Sequence, residues 1–362
     1  MKKSTMQDVA DLAGVSQASV SLILNNNDKI TFSNETKERV FEAARKLDYS
    51  LPRRKHKKSS SQSKMLLVLV PTLTNQYYSE LVQFLEGYAD RLGYRVILCN
   101  TFRRPDLEKF YLDTFLSDSL EGVIYAFLPS FPRLVEQISK TLPVVIIGEK
   151  HEDLSICSIE LSNITAGSML AEHLYQLGHR NFAFFSTPFN HLTMARSQRL
   201  EGIKSQLKSH GLGESSLQVI VEDEKREAES QEDAQPYEFE VGRRLCRKFL
   251  TENKSNATAL IAVNDMTAIG IMHELKCEHY NIPEDYSVAG FDNIFSSGIT
   301  TPGLTTIDHH LQRRCRSAVD MILEMNTVTE DKKQSYLNKI EYTPYLVNRG
   351  STGKAKAKQK TN

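Results

Sequence analysis

The sequence predicts an all-α head followed by a two-lobed α/β body built on parallel sheets. Three short segments with helical apolar spacing, separated by a glycine turn and a polar turn, fill residues 1–50. From residue 65 onward, apolar runs of strand length alternate with helical stretches, as in parallel sheets covered on both faces. The chain has 362 residues and such units are too many for one sheet, so the body divides into two lobes.

In the head, Thr5 caps a helix beginning at Met6, and Met6, Val9, Ala10 and Ala13 fall on one face. Gly14 stops it. Val15 plugs the space before the next helix, which Ser16 caps and which runs from Gln17 to about Leu24. Val20, Ile23 and Leu24 point inward there, while Gln17, Ala18, Ser21 and Leu22 point outward. After the polar turn Asn25–Asp28, Ser33 caps a third helix to about Leu47. Two short helices joined by a glycine turn, with a third behind them, fit a helix-turn-helix; periodicity alone fits a plain three-helix bundle equally well.

Net charge is zero, but its distribution is uneven. Residues 1–64 hold 13 Lys/Arg against 7 Asp/Glu, which leaves 32 against 38 for the rest. A positive head on a negative body suits a chain that holds one end near phosphates. The five cysteines (Cys99, Cys157, Cys246, Cys277, Cys315) show no C-x-x-C pair, so neither a zinc site nor a disulfide framework is expected, and a reducing cytoplasm is. No apolar run reaches 18 residues, so neither export nor membrane spanning is expected.

Residues 51–64 form a basic, then serine-rich linker, with five Lys/Arg in the six positions Arg53–Lys58. A flexible spacer and a phosphate-neutralising arm are compatible readings of it. Strand candidates in the body are Met65–Val70, Arg95–Cys99, Gly122–Ala126, Val144–Ile147, Asn181–Ser186, Gln218–Val221, Ala259–Val263 and Ser287–Gly290. Ligands of open parallel sheets bind beyond the carboxyl ends of the strands, so two facing lobes create a cleft. The loops expected there carry Asn75-Gln76-Tyr77-Tyr78, Phe127-Leu128-Pro129, Asn264-Asp265 and Phe291-Asp292-Asn293. Residues 222–240 form an acidic insertion, nine Asp/Glu against two Lys/Arg, read as a solvated loop. Residues 349–362 are read as a disordered Lys-rich tail.

The uninterrupted run from Thr5 to Asn25, TMQDVADLAGVSQASVSLILN, resembles the head signature of the lactose/galactose repressor (LacI/GalR) family. Similarity continues through Ser33-x-x-Thr36-x-x-x-Val40 and Leu47-Asp48-Tyr49. It extends into the body at Leu170–Leu174, Leu177–Arg180, Ala262–Gly270, Pro283–Asp292 and Leu304–Ile307. The resemblance implies a DNA-binding head and a periplasmic-binding-protein-like (type I) sensor body. It also implies a homodimer on a pseudo-palindromic double-stranded operator, a carbohydrate effector and no cofactor.

Carried over by position, Gln17, Ala18 and Ser21 would read base edges; a Gln pairs with N6 and N7 of adenine and an Ala methyl meets the thymine methyl. Ser16, Ser19, Asn25, Thr31 and Ser33 suit phosphates, as do Arg53, Arg54, Lys55 and Lys57 of the linker, and Thr5 is a further DNA-binding candidate. Leu22 replaces an Arg usual in the family, so operator preference is expected to differ. The family's hinge helix, whose Leu wedges into the minor groove, is replaced here by Arg53, His56, Lys57 and Ser59, which offer no apolar wedge.

In the body the resemblance implies effector contacts from Tyr78, Arg196, Tyr237 as a ring wall, Asn264, Asp292 and His309. Asn and Asp bridge neighbouring hydroxyls, Arg donates in a fork, and an aromatic face covers the C–H side of a sugar. Asp265 is read instead as the cap of the following helix, and His173 and His179 as packed residues. A carboxylate frequent in the family is absent at Ser162-Asn163. No Walker loop, G-x-S-x-G elbow, H-E-x-x-H or paired catalytic carboxylates point to an enzyme. A second reading keeps the DNA role but makes a phosphocarrier-type protein the co-regulator.

Overall fold

The computed structural model describes residues 5–24, 32–47, 64–116, 120–151, 153–189, 193–224, 236–252, 256–327 and 337–356. The chain forms two compact units, Met1–Gln62 and Ser63–Asn362.

In the first unit α1 (Met6–Ala13), α2 (Gln17–Leu24) and α3 (Asn34–Lys46) match the expected helices. Thr5 opens α1 through a reciprocal capping box: its Oγ1 accepts from the Asp8 N–H (3.3 Å) while its own N–H donates to the Asp8 carboxylate (2.7 Å). Gly14 ends the helix at φ 64°, a left-handed conformation that a side chain would strain. Ser16 Oγ accepts from the Ser19 N–H (3.1 Å) ahead of α2, and Ser33 Oγ from the Thr36 N–H (3.2 Å) ahead of α3. Val9, Ala10, Ala13, Val20, Ile23, Val40, Ala43 and Ala44 meet in one core, and Val15 packs against it from the turn.

In the second unit the first lobe opens with β1 (Lys64–Val70), α4 (Gln76–Arg91), β2 (Tyr94–Asn100), α5 (Pro105–Phe115), β3 (Leu120–Tyr125), α6 (Pro132–Ser139), β4 (Val144–Ile147) and β5 (Cys157–Leu161). The second contains α7 (Asn163–Gln176), β6 (Phe182–Ser186), α8 (Met194–Ser209), β7 (Leu217–Val221), α9 (Tyr237–Glu252), β8 (Ala259–Ala262), α10 (Asp265–Cys277), β9 (Ser287–Asp292), α11 (Phe295–Ile299) and β10 (Thr305–Asp308). The chain then returns through α12 (Leu311–Thr327) and β11 (Lys339–Tyr342) in the first lobe to β12 (Tyr345–Val347) in the second. Strand order is β11-β5-β4-β3-β1-β2 in one sheet and β12-β10-β9-β8-β6-β7 in the other. Every ladder is parallel except β10–β12.

Alternation along the strands divides each lobe into two cores. Leu66, Val68 and Val70 pack with α4 and α12, and Leu67 and Leu69 with the opposite layer. In β6, Phe182 and Phe184 face α7 and α8, whereas Ala183 and Phe185 face α9 and α10. Each fully buried Leu or Phe contributes about 1.5–3 kcal/mol. The helix pairs touch backbone to backbone: a Cβ at Gly167 or Gly202 (α7–α8), or at Gly242 or Gly270 (α9–α10), would overlap a carbonyl oxygen of the facing helix.

The backbone passes between lobes three times, at residue 162, at 309–310 and at 343–344. His310 ties two of these crossings together. Its N–H donates to Asp308 Oδ1 (2.6 Å) and its Nε2 lies 2.9 Å from the Thr343 carbonyl oxygen.

Several expectations need correction. The strand begins at Lys64, which therefore belongs to the body rather than to the linker. Strands β5, β10, β11 and β12 were not anticipated, because Ser158, Glu160, Thr305 and Thr306 interrupt the apolar pattern. Those polar side chains are buried with partners: Ser158 Oγ and Lys339 Nζ donate to the Glu160 carboxylate at 2.6 and 2.8 Å. Residues 349–356 are not a loose tail. Ser351 is fully buried, where its Oγ accepts from the Thr305 N–H (2.8 Å) and donates to the Val288 carbonyl (2.6 Å), bridging β9 and β10. Of the acidic insertion, residues 225–235 lie outside the described residues, while 237–240 begin α9 rather than a loop.

Candidate functional site

The head and the body each carry a candidate site. On α2, Val20 and Ile23 are buried, so the face bearing Gln17 and Ser21, one turn apart, points the other way. Ser16 and Gln17 are exposed, and Ser19, Ser21 and Leu22 are half-buried. No acidic side chain occupies the first turn, so the positive end of the helix dipole is left for an anion. Thr5 is exposed, with its hydroxyl engaged in the α1 cap. The side chain of Ala18 lies outside the described residues, as do Asn25, Thr31, Arg53, Arg54, Lys55 and Lys57.

In the body, the carboxyl ends of the strands enclose a cavity of about 160 Å³. Tyr78, Arg196, Asn264, Asp292 and His309 line it, as expected from the sequence. Tyr237 does not. It packs against the core formed by β6, β8, α9 and α10, and its neighbour Glu238 faces the cavity instead; the rings on the cavity wall are Tyr77, Tyr78 and Phe127. Asp265 is also not the helix cap: Asn264 Oδ1 accepts from the Thr267 N–H (2.9 Å) and caps α10. Asp265 is completely buried, accepting from the Ile294 N–H (3.2 Å), Ser297 Oγ (2.6 Å) and Thr306 Oγ1 (2.6 Å), and so ties the segment beyond β9 to strand β10.

Sequence reasoning missed the central cation of the site. Arg199, one helical turn after Arg196 on α8, donates through Nε to Asn163 Oδ1 (2.9 Å), through Nη1 to the Val263 carbonyl and through Nη2 to Asp292 Oδ1 (3.3 Å). Its guanidinium also lies 4.8 Å from the centre of the Phe291 ring. Helical spacing of three places both arginines on one face, which was the available signal. Arg196 donates to the Pro188 carbonyl. Asp292 ends β9 at φ 115°, an uncommon conformation for a side chain-bearing residue, and its carboxylate is held between Arg199 and His309 Nδ1 (3.3 Å). His173 and His179 are packed residues as read: His179 sits between Thr258 Oγ1 (2.7 Å) and Ser287 Oγ (3.0 Å).

Burial sets the protonation pattern. It pushes the carboxyls of Asp265 and Asp292 up, with the Asp292 charge adding to the effect on Asp265 and Arg199 opposing it at Asp292. It pushes His309 well below its ordinary value, with Arg199 and Arg314 adding, so the imidazole is neutral. Tyr77 is pushed up to about 12, again by burial, and its hydroxyl accepts from Arg314 Nη1 at 3.4 Å. Glu149 is raised by burial too; its Oε1 accepts from the Asn163 N–H at 2.7 Å.

Three buried polar atoms among the cavity-lining residues have no hydrogen-bond partner among the described residues: Glu149 Oε2, His309 Nε2 and Arg314 Nε. Leaving each unpaired costs on the order of 1–3 kcal/mol. Among the described residues no helix is long and apolar enough to cross a membrane, and no group of three or more His, Cys, Asp or Glu is placed to hold a metal ion.

Comparison with known proteins agrees with this division of labour. Residues 5–51 match the bacterial regulatory proteins of the lacI family, and residues 171–352 match the periplasmic binding protein-like domain. The HTH-type transcriptional regulator DegA of Bacillus subtilis is 26% identical over 309 residues, 84% of this chain and 86% of DegA. The HTH-type transcriptional repressor PurR of Haemophilus influenzae is 28% identical over 350 residues, 96% of this chain and 98% of PurR. The crystal structure of the Lac repressor dimer bound to operator and the anti-inducer ONPF shares the fold, with a TM-score of 0.67 and 24% identity over 97% of this chain and 100% of that one. With its head and half its length matched in this way, the chain belongs to the lacI family of bacterial regulatory proteins, DNA-binding transcription regulators that join a helix-turn-helix to a periplasmic-binding-protein-like body.

Proposed function

We propose that this chain is a cytoplasmic repressor that binds a pseudo-palindromic operator as a homodimer and releases or tightens its grip when a small polyhydroxylated molecule, a sugar or sugar phosphate, fills the cavity. The observation that carries the ligand class is the set of unpaired atoms. A neutral imidazole whose Nδ1 faces Asp292 offers a lone pair at Nε2, Glu149 Oε2 offers another, and Arg314 Nε offers a proton. Hydroxyl groups both donate and accept, so one ring bearing several of them meets all three. Size agrees. An apolar cavity of about 150 Å³ holds benzene, so about 160 Å³ is room for a sugar ring.

Gln17, Ala18 and Ser21 read bases in this account, while Thr5, Ser16, Ser19 and the basic linker set the register on phosphates. One head reads too few base pairs for selective binding, so two copies engage half-sites about 34–36 Å apart. Rotation about the three crossings changes that spacing when the cavity is occupied.

The test is a melting screen of the full chain against sugars and sugar phosphates, paired with selection from random duplexes with and without each hit. A stabilising sugar that also changes duplex retention is expected. Stabilisation by a phosphocarrier-type protein alone would replace the small-molecule reading, and turnover of a sugar without DNA would replace the regulator reading. On the selected duplex, Gln17→Ala relaxes preference at one symmetric base position by about 1–3 kcal/mol, whereas Lys57→Ala weakens all sequences alike and lowers the salt slope by about 1.

A further inference from the structure

We infer that Asn75 and Glu238 form a latch that holds the two lobes together across the cavity, making the closed cleft the preferred state of the chain before any ligand arrives. Asn75 immediately precedes α4, whose inner face packs in the first lobe; Glu238 lies in the first turn of α9, which packs in the second. Each is only 4% exposed. The Asn75 amide cannot turn freely, because its Oδ1 accepts from the Tyr77 N–H at 3.0 Å to cap α4. That bond aims Nδ2 across the cavity, where it donates to Glu238 Oε1 at 3.1 Å. These partners stand 163 residues apart in sequence, and only the three crossings join their lobes covalently.

A second tie springs from the same helix. Glu80, half-buried on α4, accepts the Phe295 N–H at 2.8 Å and so binds the first lobe to α11 of the second. Rotation that opens the cleft breaks both bonds. A hydrogen bond to a charged group in a desolvated place shifts a two-state ratio by roughly ten- to a hundredfold, so each tie biases the lobes appreciably toward closure. A ligand that binds the closed cleft gains apparent affinity in proportion to the closed fraction, which makes Asn75 and Glu238, two residues of the cavity rim, regulators of the site through the lobe equilibrium. Only this consequence rests on reading the cavity as an effector site.

The test separates the latch from the cap. Aspartate caps a helix as well as asparagine, so Asn75→Asp preserves α4 while setting two carboxylates against each other. Adding Glu238→Gln to that variant lets the new glutamine amide donate to the carboxylate introduced by Asn75→Asp, restoring the bond with its direction reversed. Spin labels on the exposed Cys277 of the second lobe and on Lys109→Cys of the first report the lobe separation; the other four cysteines are buried. The measurement is a dipolar distance distribution on full-length chain diluted with unlabelled chain and free of ligand.

The parent chain is expected to show one short distance, and Asn75→Asp a longer one with the ratio moved at least tenfold. N75D/E238Q should return to the parent distribution. If Asn75→Asp does not fold, Glu238→Ala, which leaves the cap intact, takes its place with the same expected lengthening. An unchanged distribution in the single variant, or an open one in the double variant, overturns the latch. Because no ligand is added, that failure leaves the effector reading standing, and failure of every sugar to bind leaves the latch standing.

Discussion

The two lobes repeat one strand order but meet the cavity with different kinds of wall. On the second lobe the central polar groups are satisfied within the protein: Arg199 makes three hydrogen bonds, Asp265 behind the wall accepts three, and Asn264 is spent on a helix cap, while His309, where the chain leaves this lobe, keeps Nε2 unpaired. On the first lobe, rings from Tyr77 and Phe127 stand beside Glu149 and Arg314, each of which keeps a buried atom unpaired. The contrast teaches where to look: under the proposed function, substitutions on the first wall should act mainly on affinity and those on the second mainly on stability.

The largest effect is expected from Arg199→Met. It leaves the Asp292 carboxylate buried without its cation and Asn163 Oδ1 without its donor, at a cost of about 3–5 kcal/mol in a urea unfolding experiment. Arg314→Met, on the other wall, should cost clearly less; equal losses would erase the contrast.

Next comes a dependence on pH. Burial raises both Asp265 and Asp292, so the folded state binds more protons than the unfolded one, and stability falls as pH climbs from the ordinary aspartate range to about 8. Buried histidines act oppositely: His309 is held below its ordinary value, so stability is lost as pH falls beneath about 6.5. Between neutrality and about pH 8 only the carboxylate slope persists. Melting temperatures across that interval should decline for the parent chain and stay flatter for Asp265→Asn. A parent curve that stays flat there would show the two carboxyls already ionised.

The smallest effect on folding is expected from Glu149→Gln, within about 1 kcal/mol, since the amide oxygen still accepts from the Asn163 N–H and a buried acid is neutralised. Its effect on affinity for a sugar identified in the melting screen should nonetheless reach tenfold, about 1.4 kcal/mol, read by titration. A variant that melts far lower but binds as before would reverse the assignment of the two walls.

Much of this arrangement was legible from residue order because strand-to-helix loops announce themselves: Asn264 and Asp292 stand at the ends of apolar runs, whereas Tyr78, in the first turn of α4, and His309 were named through the family resemblance. Helical residues were harder to place. Tyr237 and Arg196 were carried over by position from the family resemblance; a shift of one position turns a helical side chain by about 100°, so Glu238 faces the cavity where Tyr237 was expected, while Arg199, on the same face as Arg196, was passed over. Strands such as β10 escaped notice because buried threonines satisfied by hydrogen bonds look polar in a linear pattern. Ser351 was hidden for the same reason: what buries it is a partner from β9 and another from β10, far away in the chain.

The glycines at 167, 202, 242 and 270 have a mechanical corollary. Helices pressed into direct main-chain contact on both faces of one sheet leave no slack for a small push to be absorbed locally. Under the proposed function, the second lobe should therefore turn about the three pivots as one rigid body.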